Sequence, residues 1–129
     1  MVLIPGGQKA IEQLKVGDWV QTWDTDEQRL VSSQVTRTLK HYSQQTFWLV
    51  TGGGIVVTTP GHNFWTGQDW VAAKDLKPGT SYVVDNNGNR QKVLFSMYGS
   101  KQDVYNLHVA SDNHNYIANG YVVHNLIKE

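Results

Sequence analysis

HNYIANGYVVHN, residues 114–125, is the stretch from which the rest of the chain can be read. Two short apolar runs, residues 116–118 and 121–123, stand on either side of Asn119-Gly120. Asn-Gly between two β-prone runs signals a type I′ turn, since both central residues of that turn need positive φ. The segment therefore predicts a strand, a tight turn and a final strand that ends on His124-Asn125. A polar loop, SDNHN at residues 111–115, leads into it.

The same pattern of short strands and turn residues runs back to the start. Residues 2–4, 19–23, 30–40, 45–50, 54–58, 82–84, 93–98 and 104–109 read as strands, by alternation or by their content of Val, Thr and aromatic residues. Pro5-Gly6-Gly7, the polar run 24–28, Gly52-Gly53 and the DNNG of residues 85–88 read as turns. Residues 10–14 and 71–76 suit single helical turns. TTPGHNFWTGQDW, residues 58–70, reads as a loop anchored by Phe64 and Trp65. No long helix emerges, so the expected class is all-β.

An internal echo supports a fold built of two similar halves. Residues 11–17 read IEQLKVG and residues 73–79 read AKDLKPG, and each is followed by an apolar strand. A second echo pairs His62-Asn63-Phe64 with His114-Asn115-Tyr116. Chance similarity among short turn sequences would explain either echo alone. Both in the same order point to duplication and a pseudo-twofold sheet structure.

Composition removes several classes of function. The chain has 129 residues, the length of one domain, so residues 1–129 are expected to share a single core. With 11 basic and 11 acidic residues the net charge is zero, which gives no electrostatic case for nucleic acid or an anionic membrane. The absence of cysteine excludes disulfides, thiolate metal sites and cysteine nucleophiles within these residues. MVLIPGG lacks the charged lead and small-residue cleavage site of a signal peptide, and no apolar stretch is long enough to cross a bilayer. No cofactor is expected. The compartment is not readable.

The chemistry-bearing residues fall in three places. An Asn side-chain amide can attack its own backbone carbonyl, forming a succinimide and breaking the following peptide bond. A neighbouring His can protonate the leaving amine, and a second base can assist the attacking nitrogen. His124-Asn125, served by His114, fits that scheme; a polar strand end and a loop imidazole fit the same residues. Thr59 and His62 lie three apart across Pro-Gly, so a tight turn can bring a hydroxyl, an imidazole and backbone amides to one peptide bond. A turn whose His caps the backbone is the plainer reading. His41 and His108 have no such company and are taken as structural. A His-only metal site from His62, His114 and His124 lacks a neighbouring carboxylate or thiolate, so no metal is expected.

These segments, in this order, resemble the Hint family, the self-cleaving modules of inteins, hedgehog C-terminal regions and bacterial toxin precursors. Residues 2–24 look like the family's opening region, TTPGHNFW (58–65) like its second motif, residues 70–80 like the stretch after it, and VYNLHV (104–109) with HNYIANGYVVHN like its closing motifs. The resemblance covers nearly the whole chain and is closest to bacterial intein-like and toxin-precursor domains. It implies a horseshoe-shaped all-β fold with pseudo-twofold symmetry. It also implies roles: Thr59 and His62 assist an N-terminal acyl shift, His124 and Asn125 release the downstream segment, and His114 falls on a further motif histidine. The partners implied are the chain's own flanking segments, with the domain a monomer that turns over once.

The sequence departs from the family's pattern at three points. Met1 stands several residues past the place of the family's N-terminal Cys, and a thioether has no ionisable nucleophile, so no N-terminal acyl shift is expected. Leu126 follows Asn125 where splicing needs Cys, Ser or Thr, so ligation is not expected either. Asn106 occupies the place of a frequent Asp and cannot exchange a proton. The expected reaction is cleavage after Asn125. The competing expectation is an inactive Hint scaffold used as a linker or binding module.

Overall fold

The structure, a computed structural model, describes residues 1–124. Among them are eleven strands: β1 (Val2–Ile4), β2 (Gly7–Lys9), β3 (Trp19–Asp24), β4 (Arg29–Thr51), β5 (Gly54–Thr58), β6 (Asn63–Trp65), β7 (Trp70–Ala72), β8 (Tyr82–Val84), β9 (Arg90–Val109), β10 (Asn115–Ala118) and β11 (Tyr121–His124). Two single-turn 3₁₀ helices, Ile11–Gln13 and Ala73–Asp75, stand where the sequence predicts helical turns.

The strands form two sheets. One runs β2-β1-β10-β11-β6-β7; the other runs β3-β4-β9-β8, with β5 paired to β4. Every pair is antiparallel. Both orders are nearly palindromic about a central pair, β10-β11 in one sheet and β4-β9 in the other. The run β1, β2, 3₁₀ turn, β3, β4 has its counterpart in β6, β7, 3₁₀ turn, β8, β9.

The sequence echo is the hinge of that symmetry. After each 3₁₀ turn a leucine, Leu14 or Leu76, is buried in the main core. Then Gly17, at φ +93, donates to the Val35 carbonyl at 2.8 Å, and Gly79, at φ +88, donates to the Val93 carbonyl at 2.7 Å. Val35 and Val93 each return a bond, to the Asp18 and Ser81 carbonyls. Those two residues also cap their own turns: the Lys15 amide donates to the Asp18 carboxylate and the Lys77 amide to the Ser81 hydroxyl. The second echo does not share this spacing; its two histidines instead mark the starts of β6 and β10.

Three features differ from the sequence reading. Residues 30–40 and 45–50 are not two strands but parts of β4, and residues 93–98 and 104–109 are parts of β9. Pairing continues between them through register shifts, including those between His41 and Gln44 and between Gln45 and Phe47. A β-bulge adds a residue to one side and bends the strand without ending the ladder, so polar stretches without alternation still pair. Residues 58–70 are also not loop throughout: Asn63–Trp65 and Trp70–Ala72 form a hairpin. The Asn119-Gly120 turn is as read, with both residues at positive φ, 52° and 87°.

The echoed glycines give a stability test. A Cβ at Gly17 or Gly79 would meet nothing within 4 Å, so the cost of alanine there is the left-handed backbone alone. Gly17→Ala and Gly79→Ala should each lower the unfolding free energy by about 1 kcal/mol, in urea titrations of the two variants. A loss at one site only would mean that the two halves do not carry load alike.

Candidate functional site

In the six-stranded sheet β11 lies between β10 and β6, antiparallel to both. Asn115 pairs with His124, and Val123 pairs with Phe64. The end of β11 therefore lies beside the beginnings of its two neighbours. His62 and His114 are the residues immediately before those beginnings. Topology alone thus brings His62, His114 and His124, far apart in sequence, to one end of the sheet.

His62 is held by the turn the sequence predicts. Its amide donates to the Thr59 carbonyl at 3.2 Å across Pro60-Gly61, and the turn is docked by the Ala73 and Lys74 amides, which donate to the His62 and Pro60 carbonyls at 2.9 Å each. The ring reaches β11: His62 Nε2–H donates to the His124 carbonyl at 2.8 Å. A carbonyl can only accept, so Nε2 carries the proton and Nδ1 of the neutral ring is an acceptor. Desolvation holds the His62 imidazole below the usual histidine range. The bond to the His124 carbonyl opposes that shift, and the nearby His124 side chain adds to it.

The His124 ring has two ring neighbours. Trp70 meets it edge-to-face, with ring centroids 4.7 Å apart, and His114 lies at 6.5 Å. Trp70 is brought there by the β6–β7 hairpin, where it pairs with Trp65 and packs against that ring at 5.2 Å. His114 sits at φ +52, a left-handed conformation that a residue with a Cβ enters at a cost. The next residue fixes it there. Asn115 is fully buried, accepts from the Trp23 amide at 2.7 Å, and donates to the Trp23 carbonyl at 2.8 Å and the Asn113 carbonyl at 3.0 Å. One side chain thereby ties β10 to β3.

Thr59 and His62 line a cleft of about 1090 Å³, together with Met1, Asn106, Tyr116 and Val123. His114 does not line it. His41, read as structural, forms part of this cleft's wall, and its Nε2 is buried with no hydrogen-bond partner. His108 lies on β9 opposite Arg37, away from the cluster. Of the five residues singled out by sequence, His62, His114 and His124 meet at one end of the sheet, Thr59 holds the turn before His62, and Asn125 lies outside the described residues. Among the described residues no group of three or more His, Cys, Asp or Glu side chains is arranged to hold a metal ion. Sequence reasoning missed Trp70, Asn115 and Tyr116. The only available signal was their place beside motif residues, because each contact crosses between distant segments.

Residues 1–126 match the family described as the pretoxin HINT domain. The chain belongs to that family. Its fold is that of the intein-type Hint domains. The bacterial intein-like domain from Clostridium thermocellum is 29% identical, with a TM-score of 0.86 over 97% of this chain and 94% of that one. The DnaB intein from Synechocystis sp. PCC 6803 superposes with a TM-score of 0.89 over 98% of this chain and 94% of that one, at 19% identity. The gp41-1 intein is 20% identical, with a TM-score of 0.81 over 96% and 92%. No curated protein matches. Family and fold together make this Hint domain a self-processing module in the general sense.

Two stability measurements follow from the histidines. His114→Gly removes both the imidazole and the backbone strain, so calorimetry should find stability level or raised, by up to about 1 kcal/mol; a clear loss would make His114 a structural residue. His62 is neutral in the fold and its folded pKa lies below the unfolded value of about 6.5. As pH falls through that value the unfolded chain takes up the proton first, so stability falls with pH. In His62→Gln the acid loss of Tm should be smaller. An identical pH profile would remove His62 as its source.

Proposed function

We propose that this Hint domain cleaves its own polypeptide after Asn125 by asparagine cyclisation, as a single-turnover reaction whose substrate is its own flanking segment. The observation that carries the reading is the bond from His62 to the His124 carbonyl, with the His124 ring against Trp70 and near His114. That bond anchors the backbone one residue before the proposed nucleophile, and anchoring a reacting group in attack geometry is a large part of the barrier reduction for an intramolecular step.

The reaction is balanced within the chain. Asn125 Nδ2 attacks the Asn125 carbonyl carbon and gives up one proton, which His114 accepts. The tetrahedral intermediate collapses as the bond to the Leu126 nitrogen breaks, and His124 delivers a proton to that nitrogen. The products are a C-terminal succinimide and a free amine, with no water consumed. Each positioned acid or base is worth roughly a hundred- to ten-thousandfold, or about 3–5 kcal/mol. Thr59 and His62, set in the same cleft as Met1, are a relic of, or a half-site for, the family's N-terminal reaction.

Intact mass spectrometry of the purified chain, fresh and after days at neutral pH, tests this. We expect loss of residues 126–129 and the mass of a succinimide or its hydrolysis product. Asn125→Ala should abolish the loss, and His124→Ala should slow it by about a hundredfold. A folded wild-type chain of unchanged mass would overturn the reading and leave a Hint scaffold that serves as a linker or binding module.

A further inference from the structure

Backbone pairing sets where His124 stands; contacts to its ring set which rotamer it keeps. The residue pairs with Asn115 at the end of the β10–β11 ladder, and the His62 ring holds its carbonyl. Both contacts act on the main chain. Successive residues of a strand face opposite ways, so Val122 and His124 lie on one face of β11 and Val123 on the other. Val122 is buried with Trp23, Val84 and Ile117 in a small core of its own, and Trp65 and Trp70 pack against that core. Trp70 is therefore on the face from which the His124 side chain projects, and the two rings meet edge-to-face at 4.7 Å with 82° between their planes. Aromatic rings favour that arrangement over a flat stack.

Trp70 is itself held in place. It stands opposite Trp65 in the β6–β7 register, with the two indoles 5.2 Å apart. The turn that joins them is closed on itself. The Thr66 amide donates to the Asp69 carbonyl at 3.0 Å, the Thr66 hydroxyl donates to the Asp69 carboxylate at 2.7 Å, and the Asp69 amide donates back to the Thr66 hydroxyl oxygen at 3.2 Å. Resting on the cleavage reading above, we propose that Trp70 is a positioning residue that holds the His124 imidazole in one rotamer, so that the proposed acid keeps a single orientation. A general acid works only within hydrogen-bond reach of the atom it protonates, and a small misplacement of a reacting group is costly. The β6–β7 hairpin is then a brace for the acid.

The first test follows release of a reporter fused after residue 129 of the full chain. Trp70→Phe keeps a ring at the contact and should release close to the wild-type rate. Trp70→Leu keeps apolar bulk without a ring and should slow release by about tenfold or more. Val84→Ala loosens the same small core from β8; it should lower Tm and leave release near wild type. Release that falls in step with Tm in Trp70→Leu and Val84→Ala alike would make Trp70 merely structural and overturn the proposal. The second test needs no cleavage. In the intact Asn125→Ala chain, the Hα–Hβ couplings of His124 report its χ1 rotamer by NMR. We expect couplings of a single rotamer with Trp70 present and averaged couplings in Trp70→Leu. Unchanged couplings in a folded Trp70→Leu chain overturn the brace. A folded wild-type fusion that releases nothing counts against the cleavage reading alone, and the couplings still decide the role of Trp70.

Discussion

Everything at the candidate site depends on one topological constraint: β11 is a central strand with an antiparallel neighbour on each side. In such an arrangement the last residue of the middle strand lies against the first residues of both flanking strands. His62 and His114 need no special loop to find His124; backbone pairing delivers them. What the loops add is orientation. The Thr59–His62 turn is fastened to the second 3₁₀ turn by two backbone bonds, and the segment before β10 is fastened to β3 by the buried Asn115 amide. Each imidazole is therefore set at one end of the sheet and steered by a separate clamp.

The two sheets are coupled by the long strands. β4 and β9 run through both halves of the molecule, bending at bulges, and their ends carry core residues such as Val35, Leu49, Val93 and Leu107, all nearly inaccessible. The repeated glycine and valine exchanges after the 3₁₀ turns lock each half onto this spine in the same way. Asn106 belongs to the spine and Tyr116 to the six-stranded sheet, so the hydrogen bond between them is also a registration mark between the sheets. A polar bond at 1–2% exposure is costly to leave unmade, which selects the one relative position that satisfies it.

Much of this was legible in the sequence because the signals were local. Asn119-Gly120 declares its turn by the backbone angles it permits, and the echo around Leu14 and Leu76 declares the duplicated halves. The catalytic-looking residues stood out because Pro-Gly, Asn-Gly and paired histidines are rare in combination. The rest was hidden for a physical reason. Bulged pairing across residues 41–44 leaves no alternation to read, so β4 looked like two strands. The hairpin of Asn63–Trp65 and Trp70–Ala72 sits in a composition that resembles loop. Trp70, Asn115 and Tyr116 gain their meaning from partners that are strangers in sequence; Asn115 meets Trp23 across 92 positions, and no local pattern encodes such a meeting.

The order of strands in the six-stranded sheet also sets a clock. Its central pair, β10 and β11, is made last, while the hairpins that flank it are made early. Until the final strands leave the ribosome, the two outer hairpins have nothing between them, and His62 has no partner carbonyl. Long-range pairing of this kind is slow and waits on chain completion. A nascent chain would carry His62 without its partner until β10 and β11 bring His114 and His124, so any bond scission by this domain waits on its last two strands.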